Sequence, residues 1–224
     1  LETAPFTFTA IHEKKRQKFV TAGFKAPDLR TVVNPVKPWS ETRVPAEQNN
    51  SLLFVGRVGP DKGADIALEA ARRANIPITV AGTGDQLESL RDKYTEAHFA
   101  GWCNRERLLE LAQDARALIA PSRMMEPFGL VIMEAAMSGL PILVTRRAFI
   151  ADEIESIGTG KIIDIEDIES IAKEIAYFSG ADSDIRAMSE AGYTRGQEIC
   201  NSYDSWIDAF LNIFEEKLAK EPRV

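Results

Sequence analysis

The chain has 224 residues, of which 45% are hydrophobic and 27% charged, and its formal net charge is −7. This length and composition predict a soluble globular protein with one sizeable core, or one domain with a fragment of another. The negative charge argues against nucleic acid as a partner. It does not exclude a small anion, because cellular salt screens charges beyond roughly 8–10 Å.

The sequence gives no sign of export or of membrane insertion. Glu134 and Pro141 interrupt the longest apolar stretch, so no transmembrane segment is predicted, and the polar start has no signal-peptide core. Cys103 and Cys200 form no disulfide framework and no metal motif, which favours a reducing compartment. We therefore expect a cytoplasmic protein. The basic run at residues 12–18 reads as a solvated helix face, and peripheral association with the inner face of a membrane stays open.

Predicted elements follow one another regularly along most of the chain. Residues 1–33 begin with a strand at residues 6–11 and a short basic helix, and residues 34–50 hold three prolines without apolar periodicity, which indicates a linker. Short apolar runs then lie at residues 52–56, 78–82, 98–102, 117–121, 141–145 and 161–164. Helical patterns lie at residues 64–75, 85–94, 106–114, 129–138, 167–178 and 185–199, and an amphipathic helix is predicted within residues 201–224.

Continuous apolar runs separated by helices are typical of a parallel sheet covered on both faces. The fold class is therefore α/β, with a doubly wound, Rossmann-like parallel sheet over residues 51–200. Ligands of such sheets bind beyond the carboxyl ends of the strands, so the loops after the apolar runs are the candidate site.

The first such loop is GRVGPDKG, residues 56–63. Its glycines, Gly56 among them, would let the backbone approach a ligand, and Arg57 and Lys62 bring two cations to the start of the next helix. The loop therefore predicts an anion site. It matches neither a Walker loop nor a dinucleotide GxGxxG motif, and a surface turn with two solvated cations is the alternative.

Two further short motifs are weaker. The GTG sequence that begins at Gly82 is more often turn chemistry than a ligand loop. Asp182 and Asp184 have the spacing of a metal-binding DxD motif, but they follow Gly180 between two helices, where a helix cap is the expected role.

The third loop runs from Pro121 into a helix that carries a charge. Residues 128–131 are expected to offer free backbone N–H groups at the helix N-terminus, which attracts phosphate. Glu134 lies in an apolar part of this helix, where a carboxylate is unfavourable unless hydrogen bonds are donated to it, as sugar hydroxyls would do. An ordinary exposed glutamate is the alternative.

Glu126 lies eight positions before Glu134 in the same segment. A glycosidase pair needs carboxyl groups about 5–9.5 Å apart, whereas eight helical residues rise about 12 Å. The two glutamates are therefore predicted to make two contacts along one elongated ligand.

In combination, GRVGPDKG and PSRMMEPFGLVIMEAAMSGLP resemble the donor-binding half of retaining GT-B glycosyltransferases of the family 4 type. The resemblance runs from about residue 34 to the C-terminus. In that family a P-S precedes two glutamates eight positions apart, with F-G between them, as Glu126 and Glu134 stand here.

The resemblance implies a role for each matching residue. Arg57 and Lys62 would hold the donor diphosphate and, with Glu126 on the transferred sugar, form the catalytic group. Glu134 would bind the ribose hydroxyls. The remaining donor contacts are expected from the backbone of Phe128, Gly129, Leu130 and Val131, from Gly56 and Gly82, and from Trp102 near the nucleobase.

The implied reaction is hexosyl transfer from a nucleotide sugar with retention of configuration. A UDP- or GDP-linked donor is expected over an ADP-linked one, with no bound metal and no other cofactor, and the acceptor could be a glycan, a lipid or a small molecule. Residues 1–33 would be the last strand and helix of an otherwise missing N-terminal acceptor domain, toward which residues 201–224 would pack. This chain alone is then expected to bind donor without transferring sugar.

One departure from the family pattern keeps other functions open. Arg146 and Arg147 stand where the family usually has a Gly-Gly turn. A non-catalytic nucleotide-sugar binding or partner module is the first alternative. A dehydrogenase on the same sheet is the second, and the missing GxGxxG counts against it.

Overall fold

The computed structural model describes residues 6–24 and 28–220. Residues 1–5 of the predicted N-terminal segment, residues 25–27 of the loop after its helix, and residues 221–224 of the predicted C-terminal segment lie outside this range.

The described residues form eight strands and nine α-helices. The strands are β1 (Phe8–Ala10), β2 (Leu29–Thr31), β3 (Ser51–Val55), β4 (Ile78–Ala81), β5 (His98–Gly101), β6 (Ala115–Ala120), β7 (Ile142–Thr145) and β8 (Gly160–Ile163). The helices are α1 (Glu13–Thr21), α2 (Ala64–Ala74), α3 (Leu87–Lys93), α4 (Arg105–Gln113), α5 (Leu130–Met137), α6 (Ala151–Ser156), α7 (Ile168–Gly180), α8 (Asp182–Arg195) and α9 (Tyr203–Lys220).

Contacts divide the chain into two compact units. The smaller unit consists of Leu1–Lys37 together with Gln197–Val224, and the larger unit is Pro38–Gly196. Residues 38–50, which the sequence predicts as part of a linker, thus pack within the larger unit. Trp39, Val44 and Ala46 from this segment are buried there.

The smaller unit contains a parallel pair of strands, β1 and β2, connected through α1. The sequence predicts β1 and α1 but not β2, which is only three residues long. His12 caps α1, because its Nδ1 accepts a hydrogen bond of 3.1 Å from the backbone N–H of Lys14. On α9, Glu216 accepts from Arg30 of β2 at 2.7 Å.

The larger unit is built on one parallel sheet with the strand order β5-β4-β3-β6-β7-β8. The order runs outward in both directions from β3 and β6, so the chain reverses its direction of winding between these two strands. This is the strand order of a doubly wound Rossmann fold, whose ligands bind at that switch point. The predicted α/β fold with a parallel sheet is confirmed.

Burial explains why these segments are strands. Consecutive residues along one strand point to opposite faces of the sheet, so a run of buried neighbours requires cover on both faces. Such runs are Leu52–Phe54 in β3, Ala117–Ile119 in β6 and Ile142–Val144 in β7.

Three local predictions need correction. Strand β6 begins at Ala115, two residues before the predicted apolar run, and therefore includes Arg116. Helix α6 is not predicted from the sequence, since it has six residues and no side-chain cap. Asp182 and Asp184 do not cap α8: they lie in its first turn, where Asp182 pairs with Arg116 and Asp184 accepts from Tyr177.

Arg116 is a buried charge whose hydrogen bonds connect distant parts of the larger unit. Its side chain is only 5% exposed. The guanidinium donates to the carbonyls of Glu47 (3.1 Å), Asn49 (2.8 Å) and Phe178 (2.5 Å) and to the carboxylate of Asp182 (2.5 Å). A buried charge is tolerated only when it is bonded in this way, so Arg116 fastens residues 47–49 to the sheet and to the end of α7.

Replacing Arg116 with methionine should lower the free energy of unfolding by about 3 kcal/mol or more. Three carbonyls lose a charged donor, and hydrogen bonds to charged groups contribute about 1.5–3 kcal/mol each to stability. Chemical denaturation measures the change. Arg107→Met, which removes an exposed arginine paired with Glu110, is the control and should alter stability little. Equal stability of the two variants would contradict this role for Arg116.

Candidate functional site

The loops after β3 and β6 meet at the switch point of the sheet. The backbone N–H of Arg123 donates to the carbonyl of Asp61 at 2.8 Å. The Arg123 guanidinium also makes two 2.7 Å hydrogen bonds to the carboxylate of Asp65, at the start of α2, and this pairing lowers the pKa of Asp65. A bidentate pair of this kind fixes both orientation and distance. The two loops therefore form one connected edge.

Lys62 and Glu126 meet across this edge. The Nζ atom of Lys62 lies 2.5 Å from Oε2 of Glu126, and both side chains are mostly buried. The backbone of Glu126 is held by the loop after β7: its N–H donates to the carbonyl of Arg147 at 3.1 Å, and its carbonyl accepts from Phe149 at 3.0 Å. Three loops thus fix the position of one ion pair. The fold brings together two residues that the sequence assigns to one site.

Arg57 is the second cation of the first loop. Its guanidinium donates to the carboxylate of Asp61 at 2.6 Å, and its side chain is 58% exposed. An exposed ion pair of this kind contributes about 0–1 kcal/mol to stability, so it exchanges readily for another anion. Arg57 therefore remains available to a ligand.

A cavity of about 350 Å³ opens beside Arg57, at the carboxyl ends of β3, β4 and β5. It is lined by Val55, Gly56, Arg57, Ala81, Gly82, Thr83, Trp102, Cys103 and Leu108. The floor is close-packed backbone, because a Cβ atom at Gly82 would lie 1.8 Å from the carbonyl oxygen of Gly56. Trp102 is 75% exposed and offers a large aromatic surface at this cavity.

The N-terminus of α5 differs in detail from the sequence prediction. The helix begins at Leu130, with Gly129 as N-cap in the left-handed conformation (φ 82°), one residue later than the predicted start. Phe128 also precedes the helix, and its side chain is buried in the core. The first two free N–H groups of the helix therefore belong to Leu130 and Val131. Gly129 is required because other residues rarely adopt its conformation.

Glu134 projects from α5 into a partly buried polar environment. The indole Nε1 of Trp39 donates to its Oε2 at 3.3 Å, and Nη1 of Arg105 lies 3.9 Å from its Oε1. Burial raises the pKa of Glu134, and the Trp39 hydrogen bond and the Arg105 charge oppose that rise. The alternative of an ordinary exposed helix glutamate does not fit this setting.

The loop after β7 carries the arginines that depart from the family pattern. Arg146 pairs with Asp152 at 3.0 Å, whereas Arg147 lies 3.4 Å from Glu166 and donates to the carbonyl of Arg123 at 2.8 Å. A second cavity, of about 410 Å³, is lined by both arginines and by the ends of β7 and β8. Arg147 therefore braces the loop that carries Glu126.

Apart from the four residues at the start of α5, the predicted site residues fall into three groups. Gly56, Arg57, Gly82 and Trp102 line one cavity, Lys62 pairs with Glu126, and Glu134 contacts Trp39 and Arg105. Sequence reasoning missed Trp39, Arg105 and Arg123. The one available signal was the tryptophan within the proline-rich segment, because a large aromatic residue in a solvated linker is unexpected.

Comparison with known proteins defines the family. The family model described as glycosyl transferases group 1 matches residues 37–195, which is more than half of the chain. The chain belongs to this family. The O-antigen chain mannosyltransferase C of Escherichia coli is 26% identical over 202 residues, which cover 86% of this chain and 52% of that protein. The chain spans about half or less of the length of the curated relatives that it matches.

Solved structures show the same fold. Sucrose-phosphate synthase from Thermosynechococcus elongatus superposes with a TM-score of 0.83 at 18% identity, over 95% of this chain and 58% of that one. Anabaena HepE in complex with UDP-glucose gives a TM-score of 0.78 at 16% identity, over 94% of this chain and 64% of that one. The α/β fold matches the C-terminal Rossmann-like domains of GT-B glycosyltransferases.

None of the helices within residues 6–24 and 28–220 combines the length and apolar character needed to cross a bilayer. Within the same residues, no cluster of three or more His, Cys, Asp or Glu side chains is placed to hold a metal ion.

The setting of Glu134 predicts a pH-dependent effect on stability. Because burial raises its folded-state pKa above the ordinary value of 4.5, the carboxylate reduces stability at neutral pH, and this loss disappears as pH falls below the ordinary value. Glu134→Gln should therefore unfold at a higher temperature than the native chain at pH 7–8, and the difference should shrink toward pH 4. Thermal unfolding of both proteins from pH 4 to pH 8 measures this difference. A Glu134→Gln variant less stable than the native chain at pH 8 would contradict a destabilising, buried carboxylate.

Proposed function

We propose that this chain is the donor-binding part of a nucleotide-sugar glycosyltransferase of the retaining, family 4 type. The ion pair of Lys62 and Glu126 carries this proposal, because it unites the two sequence motifs at the switch point of a Rossmann-like sheet. Membership of the glycosyl transferases group 1 family supports it. A hexosyl group would be transferred to a glycan, a lipid or a small molecule.

The diphosphate of the donor would bind between Arg57, Lys62 and the N-terminus of α5. An ammonium group has three N–H donors, so Lys62 can keep its hydrogen bond to Glu126 and still donate to a phosphate oxygen. Arg57 would exchange the Asp61 carboxylate for phosphate. An exposed helix terminus contributes about 0.3–1 kcal/mol toward an anion, so the two cations would supply most of the affinity.

The other parts of the donor would occupy the neighbouring contacts. The cavity beside Trp102 would accept the nucleobase, Glu134 would accept hydrogen bonds from the ribose hydroxyls, and Glu126 would contact the transferred sugar. We propose a UDP- or GDP-linked donor in preference to an ADP-linked one, and a reaction without a bound metal or other cofactor.

Catalysis would rest on charge stabilisation. Cleavage of the sugar–phosphate bond leaves negative charge on the departing diphosphate, and cations held beside that position stabilise the transition state more than the ground state. Arg57 and Lys62 would act in this way, while Glu126 keeps Lys62 oriented and faces the sugar. The acceptor would bind to an N-terminal half of the same enzyme, toward which α9 would pack. Transfer would take place in the cytoplasm or at the inner face of a membrane.

A second candidate function is a non-catalytic nucleotide-sugar binding module. The ion-paired arginines of the loop after β7 favour it, because Arg146 and Arg147 occupy the place where the family pattern has a compact Gly-Gly turn. Binding without turnover by the full-length protein would support this second function.

Removing either loop cation should weaken binding of a nucleoside diphosphate. Lys62→Ala and Arg57→Ala are each expected to reduce the affinity for UDP or GDP by roughly 1.5–3 kcal/mol, the contribution of a charge-assisted hydrogen bond. Titration calorimetry measures the change. Lys173→Ala on α7 removes an exposed lysine outside the site and should leave affinity unchanged. Unchanged affinity in both loop variants would refute the phosphate assignment.

Replacing Glu134 with glutamine should affect ribose recognition selectively. The variant keeps the shape of the side chain but loses charged acceptor capacity, so affinity for UDP or GDP should fall far more than affinity for the 2′,3′-dideoxy analogue. Calorimetry with both ligands gives the comparison. Equal losses would mean that Glu134 does not contact the ribose.

A further inference from the structure

A tryptophan outside both sequence motifs holds Glu134, the residue predicted to bind the ribose. Trp39 is only 5% exposed, and its indole N–H donates to Oε2 of Glu134 over a distance of 3.3 Å. A buried indole needs an acceptor for its single N–H, and a carboxylate on a neighbouring helix gives it a fixed one. The indole therefore restricts the rotation of the Glu134 side chain.

Arg105 supports the same arrangement from the start of α4. Its guanidinium donates to the carbonyl of Pro38, next to Trp39, and its Nη1 lies 3.9 Å from Oε1 of Glu134. One carboxylate oxygen thus faces the indole and the other faces the guanidinium. A carboxylate has about four acceptor positions, so lone pairs remain for a pair of vicinal hydroxyls.

We infer that Trp39 is a positioning residue for nucleotide recognition: its indole N–H, assisted by Arg105, orients Glu134 so that the carboxylate accepts from both ribose hydroxyls of the donor. This inference rests on the proposed function, since it assigns a geometry to the same site. It adds a residue that would act on the donor through Glu134.

The arrangement also has an electrostatic consequence. Burial raises the pKa of Glu134, and the hydrogen bond from Trp39 and the charge of Arg105 oppose the rise. Ribose binding needs the ionised carboxylate, so affinity should fall as pH falls through the pKa of Glu134. Without the indole donor the pKa rises further, and the loss of affinity should begin at a higher pH.

Trp39→Phe tests the inference, because it keeps an aromatic ring in the buried position and removes the N–H. The probes are UDP and GDP with their 2′,3′-dideoxy analogues, measured by calorimetry from pH 5 to pH 8. Ribonucleotide affinity should fall about 5- to 20-fold, dideoxynucleotide affinity should change less than about twofold, and the pH midpoint of ribonucleotide binding should move up. Trp206→Phe on α9 makes the same substitution outside the site and should change none of these values.

The outcomes separate this inference from the proposed function. If Trp39→Phe keeps the native ribose preference and pH midpoint, Trp39 serves only packing and the inference is wrong, while the function stands. A native chain that binds ribo- and dideoxynucleotides equally well would overturn the ribose role of Glu134 and the inference with it. If circular dichroism shows that Trp39→Phe does not fold, Arg105→Gln is tested in its place. Its pH midpoint of ribonucleotide binding should also lie above that of the native chain, and an unchanged midpoint refutes the inference.

Discussion

Backbone contacts between neighbouring turns hold the carboxyl edge of the sheet together. A Cβ atom at Gly63 would lie 2.3 Å from the carbonyl oxygen of Pro121, and one at Gly82 would lie 1.8 Å from that of Gly56. Only hydrogen fits at these two positions, so the turns after β3, β4 and β6 cannot separate or slide without losing close packing. Because the turns are fixed in this way, the side chains at their tips meet at fixed distances, and the pair of Lys62 and Glu126 is the result.

The charges along this edge are arranged as ion pairs. Arg57 is paired with Asp61, Lys62 with Glu126, and Arg123 with Asp65. Pairing prevents the repulsion that two unbalanced cations at one edge would cause. In the proposed complex, a diphosphate would replace the Asp61 carboxylate as the partner of Arg57 and would share Lys62 with Glu126, since it offers more oxygen atoms and more charge. Under this proposal the same edge would be stable without ligand and able to bind an anion.

The sequence predicts the parts of this structure that depend on local pattern. Unbroken apolar runs identify β3, β4, β6 and β7 because burial on both faces leaves no polar alternation. The sequence does not predict side-chain contacts between residues that are far apart along the chain. Arg116 lies just before a predicted apolar run and has no local signal, because its acceptors come from residues 47–49, from α7 and from Asp182. Gly63 also packs against the neighbouring loop, a contact that the sequence pattern does not indicate.

Glu134 shows which part of its surroundings the sequence indicates and which part it does not. Its charge in an apolar helix indicates that some group must donate a hydrogen bond to it. The protein group that does so, the indole of Trp39, lies in a segment that the sequence predicts as a linker. Trp39 reaches Glu134 because residues 38–50 pack within the sheet unit, where Arg116 binds the carbonyls of Glu47 and Asn49. A core arginine that touches no predicted ligand contact thus helps to hold the segment that orients one. The position of the carboxylate therefore depends on the packing of the whole larger unit.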